Sequence, residues 1–139
     1  MPPLLQALHL LATAYMTGVG VYAQRVHYPM LADTGEPDFS TRHREYTRRM
    51  GPVAAPMMLL EAGLQLVWLM RAPSLTSSLG TALLVGVWFF TFALIVPLHT
   101  RLSQGFDPKA KRLLVRHNGF RTLFWAARAL LLVGGISYS

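Results

Sequence analysis

Four apolar stretches set the terms for this chain: Leu4 to Ala23, Val53 to Met70, Leu79 to Leu98 and Gly119 to Tyr138. Each is about 18 to 20 residues long, and at 1.5 Å per residue a helix of that length matches the ~30 Å hydrocarbon core of a bilayer. Together they take up more than half of the 139 residues, so no connecting segment is long enough to hold a second domain. The reading is a single all-α domain, an integral membrane four-helix transmembrane bundle. Only 14 % of residues are charged, against about 25 % in an ordinary soluble domain, which agrees with the membrane reading. The chain has no cysteine, which excludes disulfide scaffolds, iron–sulfur clusters, thiolate zinc sites and cysteine catalysis.

Ten of the eleven cations outside the apolar stretches lie in two of the connections. Arg25, Arg42, Arg44, Arg48 and Arg49 follow the first stretch; Arg101, Lys109, Lys111, Arg112 and Arg116 follow the third; Arg71 alone follows the second. By the positive-inside rule the first and third connections are cytoplasmic and both termini lie outside, as in a bacterial inner membrane. The net charge of +7 is thus a topology signal with some attraction for anionic headgroups, and nucleic-acid binding is not expected. Ala12-Thr13-Ala14 mimics a signal-peptide cleavage site, but no positive segment precedes the apolar run, so the first stretch is read as a genuine span.

Two short cytoplasmic helices are expected in the basic connections. One is capped by Asp38 or Ser40 and ends near Gly51-Pro52. The other starts with Asp107 as N-cap and Pro108 in the first helical position, and leads directly into the fourth span.

Ionisable residues inside spans are costly and ask for a partner or a function. Glu61 and Arg128 each lie roughly 15 Å deep from the same side, where an ion pair can form. Arg121 enters the fourth span ahead of Arg128. Helical spacing gathers each span's polar and aromatic residues into one stripe: Thr13, Thr17, Gly20, Gln24 and His27; Met57, Glu61, Gln65 and Trp68; Trp88, Phe92, Ile95 and His99; Asn118, Arg121, Trp125 and Arg128. Pointed inward, these stripes line a cavity. His27 and His99 close the spans beside Pro29 and Pro97, which bend helix ends, and the two imidazoles are placed over the mouth above Glu61. Tyr46 is a candidate lid. His9 and His43 are left as structural.

The candidate catalytic residues are therefore His27, Glu61, His99, Arg121 and Arg128, with Asn118 and Trp125 as cofactor contacts. His27, Glu61 and His99 form a ligand set suited to iron or, with another nitrogen, copper, with haem the lesser alternative; without a metal, His27 and His99 would serve as general acid–base groups. Two guanidiniums against one carboxylate imply an anionic or oxygen-rich guest, a hydrophobic aromatic or quinone-like small molecule. Such a chain is read as a membrane-embedded oxidoreductase or oxygenase. The alternatives are a small oligomeric transporter or channel subunit, and a haem- or quinone-binding accessory or assembly protein. Gly18-x-Gly20 and Gly134-Gly135 permit close helix contact, within the chain or in a homo-oligomer.

His27-Tyr28-Pro29, the Pro56 to Glu61 stretch, Val96-Pro97-Leu98-His99-Thr100-Arg101-Leu102 and His117-Asn118-Gly119-Phe120-Arg121-Thr122 give the chain a resemblance to a known group. It resembles the family of small four-span membrane proteins that includes the fungal anthrone oxygenases. Where that family tends to have a histidine three residues before an arginine, this chain has Asn118, with His117 beside it. The resemblance implies oxidation of an activated aromatic ring carbon to a quinone by dioxygen, with a metal optional.

Overall fold

The computed structural model describes residues 2–33 and 36–137, and it is all helical; no strand occurs among the described residues. Helix α1 (Pro3–Tyr22) passes through a π turn (Ala23–His27) into α2 (Tyr28–Ala32). Helix α3 (Glu36–Arg71) follows, then α4 (Leu75–Phe89), which passes through a second π turn (Phe90–Ile95) into α5 (Val96–Leu102). Helix α6 (Pro108–Ser137) closes the chain, so the end of the expected fourth span, at Tyr138, lies outside the described residues. Three continuous helical stretches, Pro3–Leu31, Pro37–Arg71 and Leu75–Leu102, are long and apolar enough to cross a membrane.

Both π turns sit just ahead of a proline, Pro29 and Pro97. A proline ring clashes with the carbonyl four residues back and brings no N–H, so the helix widens there. Tyr28 N–H then reaches Ala23 O and Val96 N–H reaches Thr91 O, each five residues back. His27 ends the first π turn, and the second re-aims the turn that follows it, which carries His99.

One expectation about the connections is corrected. The segment expected to stop near Gly51-Pro52 does not stop: α3 runs through Pro52 and Pro56 as one helix of 36 residues, starting at Glu36, so neither Asp38 nor Ser40 caps it. An internal proline costs about 3 kcal/mol, and packing on both sides offsets it. Phe39 and His43 are buried on one side of the prolines, and Met58, Glu61 and Leu64 on the other. The helix expected to start at Pro108 runs without a break into the expected fourth span, forming the first turns of α6. There the start is as expected: Asp107 Oδ1 accepts from Lys109 N at 2.9 Å and from Ala110 N at 3.0 Å. Those amides, above all that of Ala110, hold the Asp107 carboxyl below the usual carboxylate range, aided by Arg101 at 2.7 Å.

The bundle is arranged inside-out compared with a water-soluble domain. Its buried side chains include His9, Thr13, His43, Glu61, Gln65, Ser77, Thr91, Asn118 and Arg128, while Leu4, Leu11, Leu59, Leu66, Val85, Leu123 and Leu130 are exposed. Apolar packing is left to two clusters: Met16, Met58, Val87 and Trp125 midway, and Ala23, Tyr28, Leu31, Phe39, Ile95, Leu102, Ala110 and Leu114 toward the end that carries His27 and His99.

Helix α6 packs most extensively on α1, and Gly20 on α1 lies in close contact with it. Asn118 Nδ2 donates to Gly20 O at 3.1 Å, and a Cβ on Gly20 would overlap the Thr122 side chain. Two residues earlier, Gly18 has open space around it. Gly20→Ala is therefore expected to lose about 1–3 kcal/mol through overpacking, whereas Gly18→Ala gains about 0.5 kcal/mol by restricting the unfolded chain. Thermal unfolding of the two variants in one detergent checks the opposite signs.

Candidate functional site

The polar stripes do converge, but on two centres rather than one. The first is a buried polar network in the middle of the bundle. Glu61 accepts from Thr13 Oγ1 at 2.8 Å on one oxygen and from Trp125 Nε1 at 2.9 Å on the other. Arg128 Nη2 lies 3.3 Å from Glu61 Oε1, which makes the ion pair expected from their matched depth. The same nitrogen approaches His9 Nε2 at 3.1 Å and donates to Gln65 Oε1 at 3.1 Å. Because that His9 nitrogen faces an arginine, which can only donate, it is the acceptor and the ring proton resides on Nδ1. Gln65 continues the network to Ser77 O and Thr81 Oγ1, each at 3.1 Å. Glu61, Arg128 and His9 are all within 1 % of complete burial.

The second centre is a cavity of about 430 Å³ at the end that carries His99. Met16, Val19, Met58, Phe92 and Ile95 give it apolar walls, and Tyr28, Tyr46, His99 and Arg121 bring polar groups to it. Arg121 donates from Nη2 to Asn118 Oδ1 at 2.8 Å and from Nη1 to Thr91 Oγ1 at 3.3 Å. Its Nε has no protein partner, and no carboxylate pairs with it among the described residues. His99 Nδ1 and His43 Nε2 are 3.0 Å apart and share one hydrogen bond, which leaves His99 Nε2 as the ring nitrogen available to a guest. Trp125 stands between the centres. The Arg121 guanidinium carbon lies 5.0 Å from the centre of its ring, while its N–H serves Glu61.

No family model, curated protein or solved structure matches the chain. The site is accordingly read from its own residues.

Those residues redistribute the expected roles. Arg121 and His99 line the cavity. Asn118 and Trp125 do not line it; they hold Arg121, one by a hydrogen bond and the other by its ring face. Glu61 and Arg128 belong to the buried network. The expected ligand set of His27, Glu61 and His99 is not assembled, and among the described residues no three metal-ligating side chains gather anywhere. The reason is geometric and chemical. Glu61 has both oxygens engaged by Thr13, Trp125 and Arg128. His99 is turned to His43, and His27 lies flat on Tyr46, the ring centres 3.2 Å apart and the planes 9° from parallel.

Two histidines read as structural take part after all. His9 falls one turn before Thr13 and so extends the first stripe. His43 falls one turn after Phe39 and one turn before Tyr46 and Thr47, a helical face that a reading centred on the spans passes over. Tyr46, the candidate lid, lines the cavity and stacks on His27.

Proposed function

We propose that the chain is a four-span membrane-embedded oxidoreductase whose cavity binds a hydrophobic ring compound through a phenolate, enolate or quinone oxygen. The observation that carries the reading is Arg121, a guanidinium without a carboxylate partner among the described residues, set in a largely apolar cavity. A desolvated cation is stable there when a guest supplies the opposing charge. The apolar exterior and buried polar interior support insertion in a bilayer. The cations around the cavity's end support placing that end in the cytoplasm.

The chemistry requires no group beyond the chain, the substrate and dioxygen. A ring methylene beside a carbonyl loses a proton to His99 Nε2, and the charge develops on the oxygen held by Arg121, which is where a fixed guanidinium lowers the barrier. The proton moves on as His99 Nδ1–H donates to His43 Nε2. The electron-rich carbon bonds to dioxygen and takes up a proton as a hydroperoxide. Loss of the second C–H proton then breaks the O–O bond and releases water. In sum, one methylene and one dioxygen give one carbonyl and one water, a four-electron oxidation of carbon matched by the four-electron reduction of oxygen.

Oxygen uptake by the purified protein in nanodiscs, with anthrone-type ring ketones as substrates, tests the proposal. One dioxygen is expected per quinone formed, and His99→Ala should slow turnover about 100-fold, the usual scale of a lost general base. Binding of the ring compounds without any oxygen uptake would reduce the chain to a ligand-binding accessory protein.

A further inference from the structure

We infer that the guest is a tailed amphiphile: its ring head enters the Arg121 cavity sideways from the lipid, and its hydrocarbon tail stays outside, in a groove between α3 and α4. This rests on the reading of the Arg121 cavity as the ligand site, and it narrows the substrate class.

The cavity has a floor and a rim. Met16, Tyr28, Met58, Thr91 and Ile95 are buried at its floor. Gly51 and Ala55 on α3, and Phe92, Val96 and Thr100 across from them, are exposed and still line it. Helix α3 packs far more on α1 than on α5. The opening is thus a lateral gap between two membrane-crossing stretches, with small residues on one side. A Cβ at Gly51 would meet nothing. In a bilayer the part of the gap framed by Ala55, Phe92 and Val96 opens onto acyl chains, while Gly51 and Thr100 lie toward the headgroups.

An independent feature continues the path. A second groove of about 480 Å³ is formed by Ala62 on α3 with Leu84, Val85, Trp88 and Phe89 on α4. Ala62 lies two turns beyond Ala55 on α3, and Trp88 lies one turn before Phe92 on the facing helix, their rings 5.4 Å apart. All of its lining residues are apolar, so it offers nothing to a headgroup or to a polar substrate. From Val96 back to Val85 the helix covers roughly 16 Å, room for a prenyl or alkyl chain leaving the rim. One molecule with an anionic ring and a hydrocarbon tail satisfies the charge at Arg121, the lateral gap and the groove together. A compact ring compound leaves the groove to bulk lipid.

The test uses a matched pair of probes, 2-hydroxy-1,4-naphthoquinone carrying either a methyl or a dodecyl group on the adjacent ring carbon. Both heads are anionic near neutral pH, and quinones quench tryptophan, so binding is followed by the intrinsic fluorescence of the protein in nanodiscs. Probe concentration is expressed per lipid to remove partitioning. Wild type should bind the dodecyl compound at least tenfold more tightly than the methyl compound. Ala62→Phe, which fills the groove without touching the cavity lining, should erase that advantage and leave methyl binding within twofold. Val85→Phe, at a position open to lipid, repeats the test should Ala62→Phe fail to fold. Equal affinity for the two probes, unchanged by either variant, removes the tail groove and leaves the Arg121 reading standing. Binding of neither probe by wild type, or binding indifferent to Arg121→Gln, removes the Arg121 reading and this inference with it.

Discussion

Arg121→Gln is expected to weaken binding of an anionic ring compound about 10- to 100-fold while raising the stability of the ligand-free protein. A hydrogen bond to a charged group contributes about 1.5–3 kcal/mol, and each 1.4 kcal/mol is a factor of ten in affinity. The opposite sign for stability follows from the partners. From the protein itself Arg121 has neutral oxygens of Asn118 and Thr91 and the face of Trp125, yet no counter-charge among the described residues. Desolvating an unpaired cation is unfavourable, and a glutamine at the same place keeps hydrogen-bonding capacity without that cost. Sites held ready for a ligand commonly trade stability in this way. Lysine is no substitute: it keeps the charge but loses the planar fork that reaches Asn118 and Thr91 together. Quinone quenching and thermal unfolding on the same samples decide the matter. A variant that binds as before and melts earlier would make Arg121 a structural residue.

Much of this arrangement is legible in the sequence because helical spacing reports direction around an axis. Spacing and depth turn Thr13, Glu61, Gln65, Trp125 and Arg128 inward, and they meet. Spacing says less about reach along the axis. His27 and His99 stand at the ends of their segments and Glu61 lies about ten residues inside its span, a separation of roughly 15 Å. A common side of the four helices does not bring them within ligand distance. Partners on the neighbouring turns take them instead: Tyr46 for His27, His43 for His99. The π turns are signalled in part, since Pro29 and Pro97 mark where regular bonding fails, but a sequence does not say whether a helix answers by kinking or by widening. The uninterrupted course of α3 through Gly51, Pro52 and Pro56 is a tertiary override, set by burial of Phe39 and His43 ahead of those residues and Met58 and Glu61 after them.

The largest loss of stability is expected at the other centre, where charge is paired. Arg128→Met strands the Glu61 carboxylate, and Glu61→Gln strands the Arg128 guanidinium; breaking a buried pair from either side costs about 3–5 kcal/mol. The double variant strands neither. Its glutamine still offers a carbonyl oxygen to Thr13 or Trp125, and methionine fills most of the arginine's volume with apolar atoms, so the double change should cost no more than one of the single changes. A double-mutant cycle, read by unfolding in mixed detergent micelles, then gives a coupling energy above about 2 kcal/mol. Magnitude separates the possible natures of the contact, because hydrogen bonds between neutral groups in membrane bundles couple by only about 0.6 kcal/mol. A coupling near that lower value would mean that Glu61 and Arg128 do not act as an ionised pair. In that case Trp125, which donates to Glu61 and lies against Arg121, would no longer be anchored by a fixed negative charge. The position of Arg121 would then depend on Asn118 and Thr91 alone, and Asn118→Ala should disturb ligand binding far more than Glu61→Gln does.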